Sequence, residues 1–368
     1  MALSIGIVGL PNVGKSTLFN ALTKAQNAQA ANYPFCTIEP NKATVPVPDA
    51  RLAVLTQLVN PQKTTAATVD FYDIAGLVRG ASKGEGLGNQ FLAHIRECSA
   101  LVHVVRCFED DNIVHVDGQL DPLRDIETIE TELLLADIQS VERRIERLTR
   151  QAKGDAAARQ KLEILHKLLQ ELDQGKPAML FTPPESESFA LLWRELGLLT
   201  AKNVIYCANV DDAAQMAANA SDKANAVRKL AAERGAGFAQ ICAKVEEELQ
   251  GLPEADQAEM LAAYGIDESG LARIIRAGYT SLGLASYFTA GEKEVRAWTI
   301  SKGWKAPRAA GVIHGDFERG FIRAEVVAYD DYVLHKSEAA CRSTGTLRTE
   351  GKEYVIKDGD VVHFLFNV

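Results

Sequence analysis

Several features are missing from this chain of 368 residues, and each absence closes off a class of protein. No apolar run approaches the ~18 residues that a membrane-spanning helix needs, so no membrane partner is expected. Met1-Ala2-Leu3-Ser4 leads straight into an apolar segment, which leaves no room for a signal peptide. The six cysteines (Cys36, Cys98, Cys107, Cys207, Cys242, Cys341) form no C-x-x-C pair. That removes the common zinc and disulfide frameworks and points to a reducing, cytoplasmic compartment. There is no internal repeat and no low-complexity segment. Positive charge is also short: 40 Lys and Arg face 49 Asp and Glu, and the net −9 argues against general affinity for nucleic acid. What remains, 47% hydrophobic and 24% charged residues, suits a globular chain of two to three domains.

Two stretches depart from the negative balance. Between Arg143 and Lys167 lie eight basic residues (Arg143, Arg144, Arg147, Arg150, Lys153, Arg159, Lys161, Lys167) against three acids. Between Lys293 and Arg323 lie seven against three. Either zone alone reads as a solvated face laced with ion pairs; together they suit a focused contact with phosphate backbone.

The strongest positive signal is Gly9-Leu-Pro-Asn12-Val13-Gly14-Lys15-Ser16-Thr17, which satisfies G-x-x-x-x-G-K-[ST]. Its context agrees with its spelling. Leu3 to Val8 reads as a buried parallel strand, and Ser16 to Lys24 as a helix with Leu18, Phe19 and Leu22 on one side. A glycine-rich loop entering a helix points successive N–H groups inward, at the positive end of the helix dipole, and so cradles phosphates. Asn12, Val13, Gly14, Lys15, Ser16 and Thr17 are therefore the expected nucleotide contacts. Lys15 would reach the β- and γ-phosphates, and Ser16 would ligate Mg²⁺.

Three further segments narrow the class. Asp73-Ile74-Ala75-Gly76 follows the expected strand Thr68–Asp73, which is where switch GTPases carry D-x-x-G. Asp73 would hold Mg²⁺ through water, and the Gly76 N–H would sense the γ-phosphate. Thr37, in the loop-like Tyr33–Asn41 stretch, stands at the right interval to close over the metal. Asn209-Val210-Asp211-Asp212 ends a strand at Asn203–Ala208 with the spacing of the base-reading N-K-x-D motif, but Val210 replaces its lysine. A carboxylate there favours guanine, whereas Asn209 and the Val210 backbone could face the 6-amino group of adenine, so the residues leave the base open. After Gly76, where switch GTPases often have Gln, stands Leu77, which cannot orient water; hydrolysis is expected to be slow.

The order of elements implies an α/β protein with a doubly wound, mainly parallel sheet, further strands being read at Leu101–Arg106 and Phe238–Ala243. From about 125 to 200 the alternation stops. Leu134, Ile138, Val141, Ile145 and Leu148, then Leu162, Leu165, Leu169 and Leu172, follow three- and four-residue spacings on either side of Gly154-Asp155. This predicts an antiparallel helical hairpin with a coiled-coil seam and basic residues towards its tip. The G domain is expected over 1–281 and a small α+β domain over 282–368, with strands at Glu294–Thr299, Gly311–His314, Phe321–Val326 and the C-terminus, and one helix near Asp331–Thr344.

Residues 9–23, 32–41, 73–92, 287–300 and 314–325 closely resemble the YchF, or Obg-like, ATPases, and the similarity spans essentially the whole chain. The resemblance implies a G domain with a coiled-coil insertion and a C-terminal TGS domain of β-grasp type. It implies ATP over GTP, and association with the ribosome (50S large subunit and 70S) in translation or stress response, through rRNA contacts of the hairpin tip and TGS domain, by a monomer. It also matches His115 to a family loop histidine thought to position water. The family usually has Glu where this chain has Asp212, a departure towards the GTPase spelling. A GTPase translation factor and a nucleotide-gated, non-catalytic ribosome-binding regulator are the competing functions.

Overall fold

The computed structural model describes residues 3–30, 41–74, 87–110, 120–151, 155–184, 186–211, 216, 220–250 and 252–367. They divide into two compact units, Met1–Thr44 with Asp70–Ile274, and Val45–Val69 with Ile275–Val368.

The first unit is built on β1 (Leu3–Val8), β2 (Lys42–Pro46), β4 (Thr68–Asp73), β5 (Ala100–Arg106), β6 (Asn203–Asn209) and β7 (Gly237–Ile241); β3 (Lys63–Thr65) belongs to the second sheet. The order is β2-β4-β1-β5-β6-β7. β1 pairs β5, β5 pairs β6 and β6 pairs β7, all parallel, with Ile5 beside Ala100, Ala100 beside Asn203 and Ile205 beside Gly237. All seven residues of β5 are buried, the mark of a strand covered on both faces, which is why it reads as one apolar run. From β1 the chain builds the sheet first to one side and later to the other. Ligands bind in α/β sheets beyond the strand carboxyl ends at such a reversal. The loops after β1, β5, β6 and β7 therefore converge on one place.

Around this sheet lie α1 (Lys15–Ala30), α3 (Leu87–Glu97), α7 (Asp222–Glu233), α8 (Ala243–Leu249) and α9 (Glu254–Ala263), while α2 (Ala50–Val59) lies in the second unit. Between β5 and β6 rises a hairpin of α4 (Pro122–Gln151) and α5 (Ala156–Asp173). Its seam buries Val141, Leu148, Leu165, Leu168 and Leu172, as the spacing predicts, though Leu168 rather than Leu169 is the fully buried member. Asp155 caps α5, its carboxylate accepting from the N–H groups of Ala157 and Ala158. Phe189, Leu192 and Leu196 of α6 (Glu187–Leu196) join the same core, so the hairpin is footed on a third helix. Buried Asp137 ties α4 to the approach to β6, accepting from Leu199 N and Thr200 N at 2.8 Å each and from Thr200 Oγ at 2.6 Å. α10 (Gly270–Ser281) is capped by buried Glu246, which accepts from Gly270 N at 2.6 Å.

The second unit holds β8 (Leu284–Ala290), β9 (Glu294–Ser301), α11 (Ala306–Ala310), α12 (Gly315–Arg319), β10 (Phe321–Val327), α13 (Tyr329–His335), α14 (Glu338–Thr344), β11 (Arg348–Glu350) and β12 (Val361–Phe366). Its sheet runs β11-β10-β12-β8-β9-β3, with β12 parallel to β8 and antiparallel to β10. A hairpin, a helical crossover and a last strand inserted beside the first make this a β-grasp sheet. One face carries Tyr287, Ile300, Ala309 and Phe364; the other carries Phe288, Val295, Tyr332 and Cys341 together with Leu52 and Leu55 of α2. Two expectations are corrected here. Gly311–His314 is a turn after α11, not a strand: Pro307 starts a helix in its first turn, and Ile313 packs against the core from the turn that follows. The single helix over 331–344 is two, broken where Lys336 takes φ 64° and Ser337 caps α14 by accepting from Ala340 N. Among the described residues no helix is long and apolar enough to cross a membrane. Cys98, Cys107, Cys207, Cys242 and Cys341 are free and buried; burial pushes the Cys98 thiol up to about 11 and Cys107 to about 12, so they pack as small apolar groups.

Candidate nucleotide-binding site

The loop after β1 turns on residues in the left-handed region, Asn12 at φ 62° and Gly14 at φ 96°. Gly14 has a second constraint. A Cβ there would stand 2.3 Å from Asn209 Nδ2, so only glycine lets the end of β6 approach the loop. α1 then begins at Lys15 with no acid in its first turn, leaving its positive end uncompensated. Ser16 is exposed there, and Lys15 is only 8% exposed, its Nζ donating to Leu10 O at 2.6 Å across the loop. Burial lowers the Lys15 ammonium to about 8, with nearby Asp73 pulling it back up. Burial likewise raises the Asp73 carboxyl, which Lys15 holds down. The two groups thus share one electrostatic site at the ends of β1 and β4.

Asn209 is the brace of the cleft. Its Nδ2 donates to Val13 O and its Oδ1 accepts from Ala243 N, both at 3.0 Å. Cys107 N donates to its carbonyl at 2.8 Å, and Val210 N donates to Ile241 O at 2.8 Å. One side chain therefore locks the phosphate loop to the loops after β6 and β7. One Nδ2 hydrogen remains for a base, and its natural acceptor is purine N7, present on adenine and guanine alike. The Val210 side chain is 2% exposed and packs with Ala208, Met216, Cys242 and Val245, so only its backbone can line the cleft.

The cleft measures about 300 Å³ and brings together Asn12, Gly14, Lys15, Ser16, Thr17, Asn209 and Val210 of the expected set. Val13 is buried just beneath, offering its carbonyl to Asn209. Thr37, Gly76, Leu77, His115 and Asp212 lie outside the described residues. Four lining residues were not singled out as contacts in the sequence: Phe108, Asp211, Ala243 and Lys244. Phe108 is held by Arg106, whose Nε donates to the Phe108 carbonyl at 3.1 Å and whose guanidinium lies 4.7 Å from the ring centroid. Lys244 pairs with Asp211 at 3.5 Å on the exposed rim. The signal that could have found them is topological: each follows a parallel strand neighbouring β1 or its extension.

Ser16 and Asp73 offer oxygen donors beside the phosphate cradle, chemistry that suits Mg²⁺ completed by phosphate and water rather than a softer metal. The cleft as built can hold a triphosphate by backbone amides and Lys15, and a planar base between Phe108 and the Asn209–Asp211 strand end.

Residues 4–145 match a family model described as a 50S ribosome-binding GTPase (MMR_HSR1), and residues 284–367 match YchF-GTPase_C, described as a protein of unknown function (DUF933). Curated relatives named ribosome-binding ATPase YchF are 53% identical in Bacillus subtilis, 53% in Haemophilus influenzae and 51% in Escherichia coli O157:H7, each covering 100% of both chains. A solved structure of the Schizosaccharomyces pombe YchF GTPase is 40% identical, covers 99% of this chain and 97% of that one, and superposes with a TM-score of 0.87. Full-length identity above one half, with the G-domain strand order and the β-grasp sheet both present, establishes that the chain belongs to the YchF family.

Proposed function

We propose that this chain is a Mg²⁺-dependent ATPase that binds the ribosome and acts as a slow switch in translation or stress regulation. It would act in the cytoplasm, as a monomer. The observation that carries the reading is the cradle: Asn209 binds the phosphate loop to the base loops through Val13 and Ala243, with Lys15 and Ser16 at its mouth. Lys15 takes the β- and γ-phosphates, and the Gly76 N–H senses the γ-phosphate. Ser16, Thr37 and Asp73 hold Mg²⁺, which neutralises phosphate charge when bound. His115 helps to position water, because Leu77 cannot.

The base is read at the other end. Relatives from bacteria are named ATPases and the fission-yeast one a GTPase, so names alone leave the choice to chemistry. Asp211 is the one carboxylate among the described lining residues, and Lys244 holds it on the rim. Among the described lining residues no free carboxylate meets guanine; with the Asp212 side chain turned away from the base and the Val210 backbone facing the 6-amino group, adenine is favoured. Ribosome association rests on the names of the relatives and on the two basic zones, with the hairpin and residues 282–368 proposed as the contact modules.

Steady-state hydrolysis with and without ribosomes tests this. The isolated chain should turn over far below the ~1–100 s⁻¹ of kinases and be accelerated by ribosomes, while Ser16→Ala should lose Mg²⁺-dependent turnover and keep its fold. Tens of turnovers per second from the isolated chain, or normal turnover in Ser16→Ala, would overturn the assignment.

A further inference from the structure

The buried run of β5 ends on an arginine, and Arg106 is only 4% exposed. A guanidinium taken out of water is unfavourable unless its donors are met, and arginine is among the residues least often found fully buried. Arg106 meets its donors on the turn that follows it. Its Nε donates to Phe108 O at 3.1 Å and its Nη2 to Asp110 O at 3.2 Å. The same guanidinium lies 4.7 Å from the centre of the Phe108 ring, within reach of a cation–π contact. One side chain therefore holds both the backbone and the ring of a residue that lines the base end of the cleft.

Two other contacts hold this turn, and neither is made to the ring. Cys107 N donates to Asn209 O at 2.8 Å, and Glu109 pairs with Lys223 of α7 on the surface. Arg106 also stands beside Asn209 in the β5–β6 register, so the support of the ring and the brace of the cleft start from adjacent residues of paired strands. The shape of arginine matters here. Its planar fork presents separate N–H groups to two carbonyls while its flat face meets an aromatic ring. A lysine ammonium is a point charge on a flexible stem and cannot do both.

We propose that Arg106 is a positioning residue for ATP hydrolysis: it holds the Phe108 ring in the orientation on which the purine base stacks. The proposal rests on the reading of the cleft as an ATP site and names the group that sets its stacking surface. Arg106 does not itself line the cleft, so it acts through Phe108. Its loss leaves the Asn12–Thr17 cradle whole, and its effect therefore belongs to binding of the base and not to the chemical step. With hydrolysis slow against dissociation, KM reports that binding.

The test uses the full chain with Arg106→Gln, Arg106→Lys, Phe108→Ala and the double variant Arg106→Gln/Phe108→Ala. Steady-state hydrolysis gives kcat and KM for ATP, and calorimetry gives the affinity for inorganic tripolyphosphate, which has no base. Arg106→Gln should raise KM about tenfold, the scale of one base–aromatic stack, with kcat and tripolyphosphate affinity unchanged within about twofold. Arg106→Lys should raise KM less, about threefold, because it keeps a cation near the ring. In the double variant KM should stay within about twofold of that of Phe108→Ala, where independent effects would multiply to about a hundredfold. An arginine that only stabilised the fold would not produce that non-additivity. Unchanged KM in Arg106→Gln, additive effects in the double variant, or tripolyphosphate weakened as much as ATP would overturn the proposal. If Arg106→Gln fails to fold, Arg106→Lys with and without Phe108→Ala decides by the same cycle. A wild-type chain that binds no ATP would instead overturn the functional reading on which the proposal rests.

Discussion

The two ends of the nucleotide cleft are built by different means. At the phosphate end, six consecutive residues from Asn12 to Thr17 supply a backbone cradle, a lysine and a hydroxyl. At the base end, Phe108, Asn209 to Asp211, and Ala243 with Lys244 come from three loops that meet only because β5, β6 and β7 are neighbours. The first grip is local in sequence and reads purely chemical features, charge and amide geometry. The second is assembled by the sheet and, as proposed, reads the hydrogen-bonding edge of the base. Affinity should therefore reside mainly at the phosphate end and base preference at the other, with Asn209 as the joint between them.

The largest break should come from Lys15→Ala. Removing the one cation inside the cradle is expected to weaken ATP and GTP alike by ~100-fold or more, a loss of about 3 kcal/mol, measurable by titration calorimetry. Next in size is Asn209→Ala. It leaves Val13 O and Ala243 N without partners, and each buried unpaired group costs ~1–3 kcal/mol. Both nucleotides should weaken by at least ~tenfold with their ratio unchanged; a changed ratio would make Asn209 the base reader instead of the joint. Phe108→Ala should act at the base end alone. Loss of stacking worth ~1–3 kcal/mol should weaken ATP by about tenfold while leaving binding of inorganic tripolyphosphate as it was.

The smallest effect is one of pH. Burial lowers free Lys15 to about 8 from its ordinary 10.5, and bound phosphates would hold its proton. Binding then takes up a proton above pH 8, so affinity should fall as pH rises past that point, by at most ~tenfold per pH unit, and be flat below pH 7. The same shift has the opposite consequence for stability. The unfolded lysine keeps its proton up to about 10.5, so the cost of the buried ammonium is present below pH 8 and is relieved between 8 and 10.5. Lys15→Met should abolish the pH slope of binding.

Strands were legible wherever burial on both faces wrote a continuous apolar run: β1 and β4 begin and end at the expected residues, and β5 and β6 differ by one. The hairpin was legible because its seam repeats. The turn at 311–314 was misread because Val312 and Ile313 look like a strand when their neighbours in space are unknown; the covering role of Ile313 comes from tertiary packing. The break at Lys336 was written locally, in Ser337 as a cap, but lay inside a plausible helical span. No motif announced that 45–69 contributes α2 and β3 to the second unit, since pairing of β3 with β9 links residues some 230 apart in the chain. Among the described residues, those of the phosphate-loop motif and Asn209 with Val210 line one cleft, and residues recruited by strand adjacency did not announce themselves.

The central claim, that this YchF-family cleft prefers adenine at its β5–β6–β7 end, is tested most directly by isothermal titration of the full chain with ATP and with GTP in Mg²⁺. The account predicts ATP binding about tenfold tighter, a difference of about 1.4 kcal/mol. GTP binding tenfold tighter than ATP would contradict it and place the chain with the guanine readers.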